Sequence, residues 1–320
     1  MIMIMVSFLL GLIICLLLGV PYIDFLKKNL FSQSIKDVAP ESHQKKEGTP
    51  TTGGVFIVIA IIVAAITTLM LAQKLTAISA VILLTLFFYM LAGLQDDYLK
   101  IKGKSNDGLS AKGKLVRQIL IALLPTCYVM LAVNTNVNFG AFSIDFKYFY
   151  PILAVFIITG ASNAYNLTDG LDGLAASTGI PMFVVFSLIL LWGGCPEGAI
   201  ISAATAGALC GFLRYNKAKA QVFMGDTGSL AIGGLMGTLA VIGKIEFLIV
   251  ILAGIFILET LSVILQVTSY KLTGKKLFKM TPFHHHYELM GWSETRIVSF
   301  FTSVSTLFAL LALYCFCMSF

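Results

Sequence analysis

Two short polar segments of the chain place acidic side chains next to apolar runs. Asp96 and Asp97 are adjacent at the end of one run, and Asp226 follows a glycine just before another. Neighbouring residues on a helix point about 100° apart, so the pair can serve one ligand only where a helix ends. Acids at the carboxyl end of a helix also oppose its dipole, which argues against a merely solvated terminus. We therefore predict that the acid pair serves one ligand. Asp226 between glycines is typical of a metal or phosphate loop, with a plain turn as the alternative.

A third polar segment combines amides and acids at helical spacing. Asn166, Asp169 and Asp172 are three residues apart in the run NAYNLTDGLDGLA at 163–175. On a helix they would form one polar stripe. The run contains no basic residue that could neutralise the acids. A purely structural role for the stripe is therefore disfavoured, and we predict that it faces a ligand.

Two further segments are suited to anionic groups. GTPTTGG at 48–54 follows Lys46, and its turn would expose backbone N–H groups and the hydroxyl of Thr51 beside lysine. A polar loop that precedes a helix is the alternative reading. Three consecutive histidines at 284–286 cannot all face one ion, so they do not predict a zinc site. Their rings can instead hydrogen-bond to phosphate or sugar oxygens.

Acids gathered in this way would repel a phosphate unless a divalent cation lay between them. Mg²⁺ fits, because it binds through one or two carboxylates together with substrate phosphates. The residues alone therefore predict Mg²⁺-assisted phosphoryl transfer at a membrane surface. The acids expected on one face are Asp96, Asp97, Asp169, Asp172 and Asp226.

The composition indicates that a membrane protein positions these segments. Of the 320 residues, 58% are hydrophobic and 12% are charged, against roughly 25% charged in a soluble domain. A transmembrane helix needs about 20 apolar residues. We predict an all-α polytopic protein that forms a single membrane domain over residues 1–320. Its ten candidate spans lie near 2–20, 54–73, 76–95, 116–133, 148–164, 174–192, 198–213, 228–243, 246–269 and 297–318.

The distribution of basic residues predicts how the chain is oriented. Of the 22 lysines and arginines, 19 lie in loops on one side, and Lys74, Lys147 and Lys244 lie on the other. By the positive-inside rule the basic side is cytoplasmic and both termini are extracytoplasmic. The net charge of +6 then faces anionic lipid headgroups, so nucleic acid is not an expected partner. The outer segment 134–147 alternates around a glycine and predicts a small β-hairpin.

Five ordered motifs resemble those of a known enzyme family. The chain is similar to the polyprenyl-phosphate N-acetylhexosamine-1-phosphate transferases over about residues 40–295, and the triple histidine is typical of the branch that transfers phospho-N-acetylmuramoyl-pentapeptide. Thr52 and Tyr165 stand where methionine and a smaller residue are usual, and neither difference changes a polar residue to which the family assigns a role. The motifs are GTPTTGG at 48–54, DDYLK at 96–100, NAYNLTDGLDGLA at 163–175, FMGDTGS at 223–229 and PFHHHYE at 282–288.

The resemblance implies a particular reaction. Phospho-N-acetylmuramoyl-pentapeptide would pass from its UDP carrier to undecaprenyl phosphate in the bilayer, which releases UMP and makes lipid I for peptidoglycan synthesis. The family also implies Mg²⁺, a homodimer, and an active site on the cytoplasmic face of the bacterial inner membrane. One alternative is a transferase that moves GlcNAc-1-phosphate. Another is a secondary transporter, although transporters keep their coupling acids near the bilayer midplane rather than at one face.

The resemblance also assigns roles to individual residues. Asp226 resembles the Mg²⁺ ligand, Asp96 and Asp97 resemble the essential acid pair, and Phe223 resembles the ring that stacks on uracil. His284 is a further catalytic candidate. The candidates for substrate binding are Lys46, Thr51, Lys100, Lys112, Asn166, Asp169, Asp172, Asn216, Phe223, His285 and His286.

Two mechanisms are compatible with these roles. In the first, Asp97 is a nucleophile that attacks the β-phosphate and forms a covalent intermediate. We prefer direct attack by the lipid phosphate, because a second pKa of about 6 leaves its oxygen charged at neutral pH. Asp97 would then position the lipid phosphate or a lysine, or accept the residual proton.

Overall fold

The apolar runs of the sequence form a bundle of helices in the computed structural model, which describes residues 1–29, 48–103, 108–140 and 142–319. Within these residues, ten helices are long and apolar enough to cross a membrane. Two short helices, Leu248–Leu252 and Phe283–Glu288, separate the last three spans. The helices in chain order are α1 Ile2–Lys28, α2 Gly54–Leu71, α3 Ala77–Gly103, α4 Ala111–Ala132, α5 Tyr150–Thr168, α6 Leu174–Trp192, α7 Pro196–Asn216, α8 Gly225–Ile242, α9 Leu248–Leu252, α10 Gly254–Thr273, α11 Phe283–Glu288 and α12 Glu294–Ser319.

The ten spans expected from hydropathy are confirmed, and one of them is broken near its start. The predicted ninth span, 246–269, is interrupted at Ala253, whose backbone angles (φ −94°, ψ 21°) are not helical. Hydropathy cannot detect this break, because the residues on both sides of it are equally apolar. The span itself is α10, which extends beyond the predicted end to Thr273.

Two helices are longer than their apolar runs. α4 begins directly after Ser110, whose hydroxyl accepts a hydrogen bond from the backbone N–H three residues on and caps the helix. α3 continues to Gly103, so Asp96 and Asp97 lie inside the helix. This differs from the expectation that the acid pair marks a helix end. The two carboxylates instead have different partners, which are described below.

The helix α8 is the most enclosed of the described spans. Of its most apolar 18 residues, 89% are buried, against 22% for α1 and 28% for α12. It packs against α3 and α5, and its many small residues allow these helices to approach closely. Asp226 lies in the first turn of α8, so this acid is placed at the centre of the bundle rather than at its lipid-facing edge.

The connection between α4 and α5 contains a two-stranded antiparallel sheet. β1 Asn136–Asn138 pairs with β2 Ser143–Asp145, which confirms the predicted hairpin. At its base, Thr135 donates a hydrogen bond to Asp145. That hydrogen bond and a backbone N–H hold the pKa of the Asp145 carboxyl below its usual range. The hairpin joins the ends of α4 and α5 that lie away from the acids.

Candidate active site

Three carboxylates from two helices meet where α3 passes the start of α8. Asp96 and Asp97 come from α3 and Asp226 from α8, and one oxygen of each lies within 4.8 Å of the others. We call these three residues the acidic centre. Asp96 and Asp97 are only 2% and 3% exposed, respectively. Buried carboxylates need charged or hydrogen-bonding partners, so each must be neutralised locally.

Two lysines supply part of this neutralisation. The Lys100 ammonium lies 2.6 Å from Asp96 Oδ2 and 2.7 Å from Asp226 Oδ2. Lys100 is four residues after Asp96, the spacing at which side chains on a helix meet. The Lys114 ammonium, from α4, lies 2.8 Å from the same oxygen of Asp226. Counted as fully ionised, the three carboxylates and two ammonium groups have a formal net charge of −1.

Asp97 binds the start of α8 rather than a lysine. Its Oδ1 accepts a hydrogen bond from the backbone N–H of Asp226 at 3.1 Å. Its Oδ2 accepts from the backbone N–H of Thr227 at 3.0 Å and from the Thr227 hydroxyl at 2.6 Å. The first N–H groups of a helix have no partner within the helix. Asp97 therefore caps α8 from the neighbouring helix and fixes the backbone that carries Asp226.

This contact requires a glycine at position 225. Gly225 has φ +71°, a conformation that side chains with a Cβ rarely adopt. A Cβ there would lie 2.5 Å from Asp97 Oδ2 and 2.7 Å from the Thr51 hydroxyl. The glycine thus allows α8 to begin directly against α3 and against the 48–54 segment.

Asn166 holds the other oxygen of Asp226. Its amide nitrogen lies 2.6 Å from Asp226 Oδ1 and 2.8 Å from the Ser229 hydroxyl. One turn earlier on α5, Asn163 exchanges two hydrogen bonds with Gln118 of α4, at 2.7 and 3.3 Å. This amide pair ties α4 to α5. It thereby fixes the distance between Lys114, on α4, and Asn166, on α5.

Asp169 follows the last residue of α5 and is half-buried. Burial raises the pKa of the Asp169 carboxyl well above its usual range, and the nearby charges of Asp226, Asp97 and Asp172 raise it further. Asp169 therefore tends to hold its proton while the acidic centre is charged. A cation near these acids would favour its ionisation.

Asp172 and Asn216 bind backbone groups of the loops around the acidic centre. Asp172 Oδ2 accepts from the Ala220 N–H at 2.9 Å. Asn216 accepts from the Gly173 N–H at 3.0 Å and donates to the Val222 carbonyl at 2.9 Å. Both side chains are buried. In the structure these two predicted substrate-binding residues order the loop 169–173 and the segment that leads to α8.

The 48–54 and 223–229 motifs lie side by side. The Phe223 N–H donates to the Pro50 carbonyl at 2.8 Å, and the Phe223 carbonyl accepts from the Gly53 N–H at 2.9 Å. Thr51 is buried between them, next to the acidic centre. The Phe223 ring is partly exposed. The structure therefore brings together two motifs that are 170 residues apart in the chain.

The three consecutive histidines have three different partners. His284 Nδ1 lies 3.2 Å from Glu259 Oε1, and His285 Nδ1 lies 2.7 Å from Glu288 Oε2. His286 Nδ1 accepts a hydrogen bond from the Lys279 N–H at 3.2 Å. This agrees with the argument that adjacent histidines on one helix turn point in different directions.

Two predicted lysines are not part of this arrangement. Lys112 is exposed at the start of α4, and Lys46 lies outside the described residues. Conversely, the sequence reasoning missed Lys114 and Thr227, which contact the acidic centre. Thr227 was within a recognised motif, but Lys114 lies in none. Its only signal in the sequence was that it lies four residues, about one helical turn, before Gln118, where Arg117 and Gln118 interrupt an apolar run.

Comparisons with known proteins agree with this arrangement. Residues 79–244 match the model of the family described as glycosyl transferase family 4. The chain is 47% identical to a protein of Bacillus subtilis (strain 168) and 46% identical to one of Bacillus licheniformis, over 97% of each chain. It is 45% identical to a protein of Halalkalibacterium halodurans, over 97% of this chain and 96% of the relative. All three relatives are named phospho-N-acetylmuramoyl-pentapeptide-transferase.

The matches to the three relatives cover 97% of this chain, and the family model covers more than half of it. The chain therefore belongs to glycosyl transferase family 4 and, within it, to the phospho-N-acetylmuramoyl-pentapeptide-transferases.

Proposed function

We propose that the chain transfers phospho-N-acetylmuramoyl-pentapeptide from its UDP carrier to undecaprenyl phosphate, yielding lipid I and UMP for peptidoglycan synthesis. The observation that carries the proposal is the acidic centre, with its two lysines, at one end of the membrane spans. Phosphoryl transfer needs charge stabilisation and positioning more than covalent chemistry from the protein. The names of the relatives support the choice of substrate.

Magnesium fits the acidic centre by the chemistry of its donors. The oxygens of Asp226 and Asp96 are carboxylate ligands of the kind Mg²⁺ prefers, and the cluster carries an excess negative charge. Asp226 would be the principal ligand, because two of its contacts are to lysine ammonium groups, which a cation can displace. The oxygens of Asp97 instead accept from the backbone and the Thr227 hydroxyl of α8. Bound there, Mg²⁺ would neutralise charge on the diphosphate of the substrate.

In a direct displacement, different residues of the chain would bind the phosphates and hold the helices in place. An oxygen of undecaprenyl phosphate attacks the β-phosphorus, the bond to the α-phosphate oxygen breaks, and UMP leaves. Lys100 and Lys114 would bind the phosphate oxygens, since both ammonium groups lie at the acidic centre. Asp97 would keep α8 in place rather than act as nucleophile or base, because three of its four lone-pair positions accept hydrogen bonds from α8.

The other candidates line the substrate path in this proposal. Phe223 would stack on uracil, since its ring is partly exposed beside the buried Thr51. The remaining polar contacts to nucleotide, sugar and phosphates would come from Lys46, Thr51, Lys112, Asn166, Asp169, His285 and His286. Asp172 and Asn216 would act by ordering the surrounding loops.

The distribution of basic residues and the family together support a proposed orientation in the membrane and a proposed assembly. The acidic centre would face the cytoplasm in the bacterial inner membrane, with both termini outside. The proposed assembly is a homodimer, and the chain would form one membrane domain over residues 1–320.

A direct assay distinguishes this proposal from its alternatives. Purified protein in vesicles with undecaprenyl phosphate is given radiolabelled UDP-N-acetylmuramoyl-pentapeptide or UDP-GlcNAc. We expect label in the lipid fraction with the first substrate only. Lipid-linked GlcNAc would instead establish the related transferase, and uptake of intact UDP-sugar without lipid product would indicate a transporter.

A further inference from the structure

A carboxylate and an imidazole are buried together beside the loop 169–173. Glu259, on α10, and His284, on α11, are both fully buried, and Glu259 Oε1 lies 3.2 Å from His284 Nδ1. An acid inside a membrane span is costly unless it is paired or faces protein. None of the steps above uses Glu259. Its burial against a histidine of the fifth motif therefore needs an explanation.

The pair uses only half of its hydrogen-bonding capacity. Among the described residues, Glu259 Oε2 and His284 Nε2 are buried side-chain atoms with no hydrogen-bond partner. The only hydrogen bond within the pair therefore joins Glu259 Oε1 to His284 Nδ1. A carboxylate that accepts from one ring nitrogen sets both the tautomer and the orientation of the imidazole.

The opposite edge of the His284 ring rests on the substrate-facing loop. A Cβ added at Gly170 would overlap His284 Nε2 and lie 2.9 Å from its Cε1. Gly170 directly follows Asp169, whose carboxyl is influenced by the charges of the acidic centre. The ring thus fills the space between α10 and the loop 169–173, and any rotation of the ring would push on that loop.

We propose that Glu259 is a positioning residue: by accepting the Nδ1–H of His284, it fixes the ring that supports Gly170 and thereby places Asp169 for substrate binding. This role rests on the transferase function proposed above. It assigns a purpose to the buried acid of α10 and explains why a glycine occupies position 170. It also separates His284 from His285 and His286, which have other partners.

The first test reads the histidine directly and does not depend on activity. The full-length protein, with His43, His285 and His286 replaced by glutamine, is labelled with ¹⁵N-histidine and reconstituted in nanodiscs. We expect Nδ1 of His284 to carry a proton, and to lose it in Glu259→Leu. An unprotonated Nδ1 in the parent, or a protonated Nδ1 unaffected by Glu259→Leu, would overturn the proposal.

The second test asks whether the pair acts on substrate binding. Glu259→Leu, which removes the acceptor, and Gly170→Ala should each raise KM for the UDP-sugar about tenfold while kcat changes less than about threefold. Gly160→Ala is the matched control, because a Cβ at Gly160 meets nothing within 4 Å, and its KM should not change.

Glu259→Asp, which keeps the carboxylate, should recover part of the lost affinity. An unchanged KM in both test variants, or an equal rise in Gly160→Ala, would contradict the role of Glu259. Absence of lipid product from every protein, including the parent, would instead count against the proposed function and leave the NMR result standing.

Discussion

At the residue scale, the acids of the DDYLK and FMGDTGS motifs have different hydrogen-bond and ion-pair partners. Asp96 and Asp226 share the Lys100 ammonium, whereas Asp97 accepts three hydrogen bonds from the start of α8. Three hydrogen bonds leave the Asp97 carboxylate few lone pairs for nucleophilic attack or for a metal ion. The adjacency of Asp96 and Asp97 in sequence therefore does not mean that they do the same chemistry.

Removal of the Asp226 carboxylate tests the metal site. We expect Asp226→Ala to lower turnover about 1,000-fold, because two lysines and Mg²⁺ lose their common partner. Release of UMP is measured against Mg²⁺ concentration, after EDTA treatment of both proteins. EDTA should abolish turnover in the parent, and Mg²⁺ should restore it. Full activity in the variant would show that the ligand is another acid.

The role of Asp97 can be separated from nucleophilic catalysis. In Asp97→Asn, the new NH₂ group would face the Thr227 N–H or the Asp226 N–H, so at least one buried donor loses its acceptor. Such a loss costs about 1–3 kcal/mol, and we expect lower thermal stability together with lower activity. Asp96→Asn is the comparison, since Asp96 accepts from the Leu109 N–H and takes none of the backbone N–H groups of α8.

The parent enzyme gives the complementary result. Mixed with UDP-sugar in the absence of lipid acceptor, it should release no UMP, because direct attack requires bound undecaprenyl phosphate. A burst of about one UMP per site would show a covalent intermediate and contradict direct attack by the lipid phosphate.

The raised pKa of Asp169 predicts a pH-dependent stability. The folded protein binds this proton more tightly than the unfolded chain, so the parent loses stability as pH rises above the usual carboxyl range. Asp169→Asn cannot ionise and avoids this loss. In EDTA, its unfolding temperature should exceed that of the parent by a margin that grows from about pH 5 to about pH 8.

Asp145→Asn is a control in which the pH dependence of stability should have the opposite sign. The pKa of Asp145 is lowered by its hydrogen bonds, so this variant should lose stability that the parent has at neutral pH. If the margin for Asp169→Asn is constant with pH, Asp169 does not titrate in this range.

At the element scale, the spans were readable from the sequence but their contacts were not. Hydropathy predicts ten helices, because a membrane span needs a long apolar run. It cannot predict that α3 continues past Asp97, since polar residues in a helical extension look like those of a loop. Nor can it place Lys114 beside Asp226, because that contact depends on the Gln118–Asn163 pair between two helices.

The start of α8 provides a prediction at this scale. Gly225→Ala forces a Cβ into a left-handed conformation and against Asp97 and Thr51, so α8 must shift. We expect turnover to fall about 100-fold or more, since small displacements of catalytic groups have effects of this size. Turnover and unfolding temperature are both measured.

Gly274→Ala separates strain from displacement. Gly274 has a similar φ of +69°, but a Cβ there meets nothing within 4 Å. This variant should lose only about 1 kcal/mol of stability and keep its turnover. Equal losses of activity in the two variants would mean that the contact with Asp97 is unimportant.

At the scale of the whole molecule, the most enclosed of the described spans carries Asp226, the acid of the acidic centre that pairs with two lysines. α8 is surrounded by other helices, while α1 and α12 leave most of their surface to lipid. Lysines from α3 and α4 and an amide from α5 can therefore all reach Asp226. The basic loops lie at this same end, so the orientation of the bundle decides which compartment supplies the nucleotide substrate.

The orientation is tested by labelling single cysteines. In a version without the six native cysteines, cysteine is introduced at Asn136 in the hairpin or at Lys276 after α10, both exposed positions. The 19-to-3 distribution of basic residues predicts that an impermeant thiol reagent labels position 136 in intact cells. Position 276 should react only after the cells are opened. Labelling of position 276 in sealed cells would place the basic loops outside and, with them, the acidic centre, which would contradict a cytoplasmic active site supplied with UDP-sugar.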